Sequence, residues 1–191
     1  MKYIFDFDDV LSHTSKQGEN SLFKEHIFSS LEKAGISRNS ILEYYEKERL
    51  NRLSLRAWIA HFSIKNPEDL YEEIISRSKD FMNSELVEIV KKLGKANCFI
   101  VTYGDTEFQL DKIKRGGIES LFSEIIVVPK SKKEAVETIS AKYNNEDVYF
   151  IDDSPKHFED LDFKKYPNLK TVLFTNTARL RDALPDLFPH R

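Results

Sequence analysis

The sequence predicts an α/β protein: a doubly wound, parallel sheet of five strands with an all-helical unit inserted after the first strand. Three observations lead there. Short apolar runs at 2–7, 97–101, 124–128, 148–151 and 171–174 have the length and β-branched or aromatic content of buried strands. From residue 84 onward, helical patterns at 84–93, 105–114, 131–143 and 155–164 separate those runs, and strand, helix, strand repeated in this way implies parallel strands. Between residues 14 and 82 the pattern holds helices and no strand.

Taken in order, residues 2–7 alternate around Tyr3, Phe5 and Phe7 as the first strand. In the insertion, Leu22, Phe23, Ile27 and Leu31 share one helical face before Gly35; Ile41, Leu42 and Tyr45 mark a second helix reaching Leu50, and Leu55, Trp58, Ile59 and Phe62 a third. The fourth starts with Asn66 as cap and Pro67 in the first turn, where proline has no N–H to leave unsatisfied. Gly94 closes the next helix. The tail from Ala178 carries Leu180, Leu184 and Leu187 at helical spacing, interrupted by Pro185 and Pro189, and reads as a short terminal helix or docked segment. The division is a core of 1–13 and 83–191, with 14–82 as the helical unit.

Composition narrows the function classes. A chain of 191 residues, 40% hydrophobic and 32% charged, suits one well-cored domain with a modest insertion. No apolar run approaches the roughly 20 residues that cross a bilayer, and the amino-terminal segment carries carboxylates where a signal peptide needs an apolar stretch, so a cytoplasmic protein is expected. The single Cys98, inside an apolar run, reads as a buried small hydrophobe. A net charge of −3 with interspersed signs offers no field for nucleic acid or an anionic membrane.

Chemistry concentrates at the strand exits. Asp6 and Asp8, two residues apart at the end of the first strand, project to the same side, where two carboxylates repel unless a cation joins them; alone, the pair also reads as a solvated acidic turn. Thr102, with Tyr103 and the permissive Gly104, leaves the second strand next to Asp105, a helix cap. Ser131-Lys132-Lys133-Glu134 has the form of a capping box and places Lys132 at the first helical position. A cation there opposes the helix dipole, which is sensible if Lys132 and the free N–H groups share an anion such as phosphate, although Lys130 competes for the role. Asp152 and Asp153 end the fourth strand as adjacent carboxylates, a pairing suited to a hard, oxygen-seeking ion such as Mg²⁺; capping by Asp153 or Ser154 explains one acid, not both.

Asp-x-Asp at the first strand, Thr at the second, Lys before a helix and Asp-Asp at the fourth together resemble the four motifs of the haloacid-dehalogenase-like superfamily, across the whole chain. The resemblance implies a Rossmann-like core with a helical cap and a magnesium-dependent phosphatase acting on a small phosphorylated metabolite. In it, Asp6 is the nucleophile, Asp8 the general acid and base, Thr102 and Tyr103 with Lys132 the phosphate-binding group, and Asp6, Asp8, Asp152 and Asp153 the metal-binding acids. The sequence departs from the pattern in Asp9 and Val10, which stand where Gly and Thr are common, and in His157, which stands four residues after Asp153 where many members have aspartate. A phosphomutase and a noncatalytic phosphate-binding or regulatory module are the alternatives; a response-regulator receiver is set aside because its acid pair precedes its Thr and Lys in chain order. In the helical unit, Arg49, Arg52, Arg56 and Trp58 form an arginine–aromatic group able to hold a second anion or stack a base.

Overall fold

The protein is seen in a computed structural model that describes residues 1–15, 22–48 and 54–183. Strands β1 (Lys2–Phe5), β2 (Cys98–Tyr103), β3 (Glu124–Val128), β4 (Val148–Asp152) and β5 (Leu169–Leu173) form one parallel sheet in the order β3-β2-β1-β4-β5. β1 is central, paired with β2 through Tyr3 opposite Cys98 and with β4 through Tyr3 opposite Tyr149. The chain builds outward from β1 in both directions, so the ends of β1 and its neighbours form the crevice where open α/β sheets bind ligands.

Between β1 and β2 come α1 (Phe23–Lys33), α2 (Arg38–Glu48), α3 (Leu55–His61), α4 (Pro67–Ser76) and then α5 (Ser84–Leu93), the last already part of the core. After β2 follow α6 (Thr106–Arg115), α7 (Lys133–Lys142) and α8 (Thr177–Ala183). Because side chains alternate along a strand, Tyr3, Phe5, Cys98 and Ile100 enter one apolar cluster with Leu86, Ile89 and Val90 of α5, Ile113 of α6 and Leu180 of α8. Ile4, Phe99, Val101, Val148 and Phe150 enter a second cluster with Val136 and Ile139 of α7. Each fully buried side chain of this size contributes about 1.5–3 kcal/mol. Cys98 lies fully inside the first cluster, and burial pushes its thiol up to about 12, consistent with a packing role.

Helices α1 to α4 build a third cluster of their own around Phe28, Leu31, Trp58 and Ile74. The chain leaves and re-enters the core through adjacent segments: His13 N–H donates to Phe81 O at 2.8 Å, and Asn83 N–H to Leu11 O at 2.9 Å. The helical unit rests on α6, where Tyr71 Oη donates to Asp111 Oδ2 at 2.6 Å and Arg115 pairs with Glu72 at 2.6 Å.

Three expectations need adjustment. The segment 155–164 is not an α-helix: only Pro155–His157 forms a 3₁₀ turn, and the rest is turns. Phe158 and Leu161 enter the apolar cluster while Phe163 stays 44% exposed and most of the rest is charged, too narrow a buried face to hold a helix on the sheet. β5 begins at Leu169, earlier than its apolar run suggests, because Asn168 Nδ2 donates to Ser140 O, Tyr143 O and Glu146 O and anchors the strand entry. Helix α7 starts at Lys133, with Lys132 as its cap, while Ser131 Oγ still accepts from Lys133 N–H at 3.0 Å. Residues 184–191 lie outside the described residues.

Asn83 ties this architecture to the site. Its Oδ1 accepts from Leu86 N–H at 3.2 Å, capping α5, and its Nδ2 donates to Val10 O at 3.3 Å in the loop after β1. Asn83→Ala removes a cap and leaves a buried carbonyl unsatisfied, so it is expected to destabilise the protein by about 1–2 kcal/mol, read as a lower urea midpoint at unchanged slope.

Candidate active site

Asp6 follows β1 directly and is 5% exposed; its N–H donates to Ile151 O at 2.9 Å, locking the end of β1 to β4. Its Oδ1 accepts from Phe7 N–H at 2.7 Å and faces Lys132 Nζ at 2.7 Å. Its Oδ2 accepts no hydrogen bond among the described residues and belongs to a side chain lining the cavity outside the sheet. Lys132 also donates to Asp152 Oδ2 at 2.7 Å. One buried ammonium is therefore shared by two buried carboxylates. Asp152 takes further support from Ser154 N–H on Oδ1 and from His157 Nδ1 on Oδ2, both at 2.9 Å.

The electrostatics follow. Burial pushes the Asp6 carboxyl up, the Lys132 charge opposes this, and the nearby negative charges of Asp152 and Asp8 add to the rise, which reaches about 6. Burial acts the same way on Asp152, but hydrogen bonds from His157 and Lys132 together with the lysine charge outweigh it and hold that carboxyl below its ordinary value. Burial lowers Lys132, and the two carboxylates more than reverse that.

Asp8 occupies a separate pocket of contacts. Its Oδ1 accepts from Thr14 Oγ1 and Lys112 Nζ, both at 2.6 Å, and its Oδ2 from Gln109 Nε2 at 2.7 Å. Burial raises this carboxyl, but the Lys112 charge and hydrogen bonds from Gln109, Lys112 and Thr14 leave it below its ordinary range. Lys112 is buried beside three aromatic rings, Nζ lying 5.1 Å from the Phe7 centroid, 4.8 Å from Phe108 and 6.0 Å from Phe23. Gly104 makes room for the clamp, since a Cβ there would lie 2.7 Å from Gln109 Nε2.

Sequence reasoning missed both Lys112 and Gln109. In α6, Leu110 is 42% exposed and Lys112 is 2% exposed. The available signal was the position of Lys112 one helical turn beyond Phe108, on the helix that follows the Thr102 strand.

The remaining sequence-derived residues fall as follows. Thr102 is 1% exposed, lines the cavity, and its Oγ1 has no hydrogen-bond partner, an orphaned donor that a ligand oxygen would satisfy. Tyr103 lines the same cavity, and its carbonyl accepts from Gln109 Nε2 at 3.1 Å. Asp153 also lines it but stands outside the group formed by Asp6, Asp152 and His157, whose ligand atoms all lie within 4.8 Å of one another. Nor does the Asp8 carboxylate join that group. Lys130 and Lys133 are away from Asp6, and Lys133 pairs with Glu137 instead. The cavity holds about 350 Å³, with Phe23, Ile27, Tyr45 and Trp58 contributed by the helical unit. Arg56 does not reach it: the guanidinium binds Glu68 at 2.6 Å and Glu107 at 2.9 Å and stacks 4.0 Å over Tyr71, fastening the helical unit to α6. Arg49 and Arg52 lie outside the described residues.

A divalent cation fits the residues present. Asp6 and Asp152 bring two negative charges against the single positive charge of Lys132, and an oxygen of each lies within 4.8 Å of the other and of a ring nitrogen of His157. An octahedral ion with bonds of about 2.1 Å spans ligand atoms about 3–4.2 Å apart, a spacing compatible with atoms that lie within 4.8 Å of one another.

No protein-family model matches the sequence, and no curated protein is detectably similar to it. Solved structures do match. A hydrolase from Streptococcus pneumoniae TIGR4 is similar over 96% of this chain and 97% of its own, at 21% identity and a TM-score of 0.55. A haloacid dehalogenase-like hydrolase from Burkholderia xenovorans LB400 is similar over 90% and 80%, at 17% identity and a TM-score of 0.64. The magnesium-bound HAD-hydrolase YfnB from Bacillus subtilis is similar over 100% and 89%, at 15% identity and a TM-score of 0.52. At such identities the likeness is one of fold.

Two predictions come from these charges. Lys112→Met leaves Asp8 without its cation and should destabilise the protein by about 3 kcal/mol, the low end for a broken buried pair because Asp8 remains 27% exposed. Asp8→Asn in the same chain should recover much of that loss, and additive losses in the double variant would count against the clamp. The pair stabilises the fold above the ordinary carboxyl value, and its contribution disappears as pH falls through the lowered value of Asp8. Asp6 has the opposite sign: its folded value is raised from 3.8 to about 6, so its favourable contribution is complete below 3.8 and is lost as pH rises through 6. At neutral pH without divalent cations, Asp6→Asn is therefore expected to be more stable than the parent by about 1–3 kcal/mol, several degrees in Tm, with the gain vanishing in acid.

Proposed function

We propose that this chain, whose fold is that of the haloacid dehalogenase-like hydrolases, hydrolyses a phosphate monoester, with Asp6 as nucleophile, residues 14–82 as a cap over the site, and Mg²⁺ as cofactor. The observation that carries the reading is the state of Asp6: one oxygen is fixed by Phe7 N–H and Lys132 and the other is open to the cavity, beside the unpartnered hydroxyl of Thr102. A carboxylate so oriented needs little reorganisation to attack a phosphorus atom bound opposite its open oxygen.

Phosphate oxygens bind at Thr102 Oγ1 and near Lys132, which steadies Asp6 at the same time. Asp6 and Asp152 would hold a Mg²⁺ ion, which would supply charge neutralisation for the meeting of two anions. Asp6 Oδ2 attacks phosphorus, the bond from phosphorus to the leaving oxygen breaks, and Asp8 in its protonated form gives that oxygen its proton. Asp8, now a carboxylate, takes a proton from water as the water oxygen attacks phosphorus, and Asp6 is released with inorganic phosphate. Lys112, Gln109 and Thr14 hold Asp8 ionised, which favours the base step and makes proton donation the more demanding one. Halide displacement from carbon needs no proton for its leaving group, so a carboxyl held in place at Asp8 favours phosphoryl transfer over dehalogenation.

A cavity of about 350 Å³ is at the small end for ligand sites and fits a small phosphorylated metabolite. No described helix is long and apolar enough to cross a membrane. A metabolite substrate and a lone buried thiol fit a cytoplasmic enzyme.

The test is acid-quenched mass spectrometry with Mg²⁺ and an aryl phosphate. Asp8→Asn should turn over about 10²- to 10⁴-fold more slowly and accumulate a phosphoryl adduct on the peptide containing Asp6. Asp6→Asn should form none. An adduct on Asp152 or Asp153, or full turnover in chelator, overturns the reading.

A further inference from the structure

We infer that His157 is a ligand of the divalent cation, giving the site one nitrogen donor and a preference for Mn²⁺ or Co²⁺ over Mg²⁺. The inference rests on the cation site proposed above and adds to it the identity of a donor and the class of ion. Its ground is geometric. A ring nitrogen of His157, an oxygen of Asp6 and an oxygen of Asp152 lie within 4.8 Å of one another, with Asp6 and Asp152 buried and the His157 side chain 21% exposed. The ring nitrogen nearest the group is Nδ1, 2.9 Å from Asp152 Oδ2, about the separation of two neighbouring ligand atoms on one octahedral ion; with the ring proton on Nε2, both atoms offer lone pairs to the same ion.

The backbone fixes this arrangement. Pro155 opens the 3₁₀ turn Pro155–His157, Ser154 N–H is held by Asp152 Oδ1, and His157 N–H donates to Ser154 O at 3.2 Å. The turn that stands in place of the expected helix is what folds His157 back onto Asp152. A neutral imidazole adds a lone pair without adding charge, so the two carboxylates and Lys132 still leave a deficit of positive charge in a buried place. Carboxylate oxygens suit Mg²⁺ and Mn²⁺ alike, whereas imidazole nitrogen binds transition ions better than Mg²⁺.

The test measures binding rather than turnover. Mn²⁺ is titrated into the full chain at mildly alkaline pH, free Mn²⁺ is followed by electron paramagnetic resonance, and Mg²⁺ is added as competitor. The parent should prefer Mn²⁺, and His157→Asp should lower that preference by roughly tenfold or more, the scale on which ligand-supporting groups alter metal affinity. Pulsed spectra of bound Mn²⁺ should show imidazole ¹⁴N coupling in the parent and none in His157→Asp or His157→Gln, and thermal melts establish that both variants fold. Mn²⁺ bound without nitrogen coupling, or equal preference in all three proteins, overturns the role of His157 and leaves the Asp6–Asp152 site standing. Failure of the parent to bind either ion overturns both.

Discussion

Lys132 places one positive charge between the buried carboxylates of Asp6 and Asp152, 2.7 Å from each. Two such acids could not share the end of a sheet without it, because desolvation and mutual repulsion both act against their ionised forms. The lysine relieves only part of that load, as the raised carboxyl of Asp6 shows. The core around it supplies the rigidity. β1 is held between β2 and β4, Asp6 N–H is tied to Ile151 O, and Lys132 caps α7. Stability is thus given up at a buried carboxylate, and large apolar clusters on both faces of the sheet offset it.

The second ion pair does different work. Lys112 and Asp8 join α6 to the loop after β1, and Lys112 also lies beside Phe23 at the start of the helical unit. α6 is therefore a shared support: its inner face holds Asp8, Phe108 enters the apolar cluster of the helical unit, and Glu107, Asp111 and Arg115 fasten that unit from outside. The arginine that looked suited to an anion, Arg56, belongs to this fastening. α6 thus links the helical unit directly to Asp8.

The strands and most helices were legible in the sequence because their signals are local. Alternation, Gly94, and the Asn66-Pro67 start each act within a few residues. The same holds for Asp6, Thr102, Lys132 and Asp152, which stand at strand ends that parallel topology must gather at one edge. The 155–164 segment failed by the same logic, since a locally plausible helix had too little apolar face once the sheet was in place.

By itself the sequence determined the α/β class, the helical insertion and the set of acids, threonine and lysine at the strand exits, since each depends on residue order and short-range periodicity. Tertiary structure alone decided that Lys112 turns inward while Leu110 faces solvent, that Arg56 is tied to two glutamates, and that His157 joins Asp152 and Asp6. Those outcomes are set by partners far apart in the chain: a buried charge is stable only where an opposite charge or a cation meets it, and which groups meet is fixed by packing rather than by spacing.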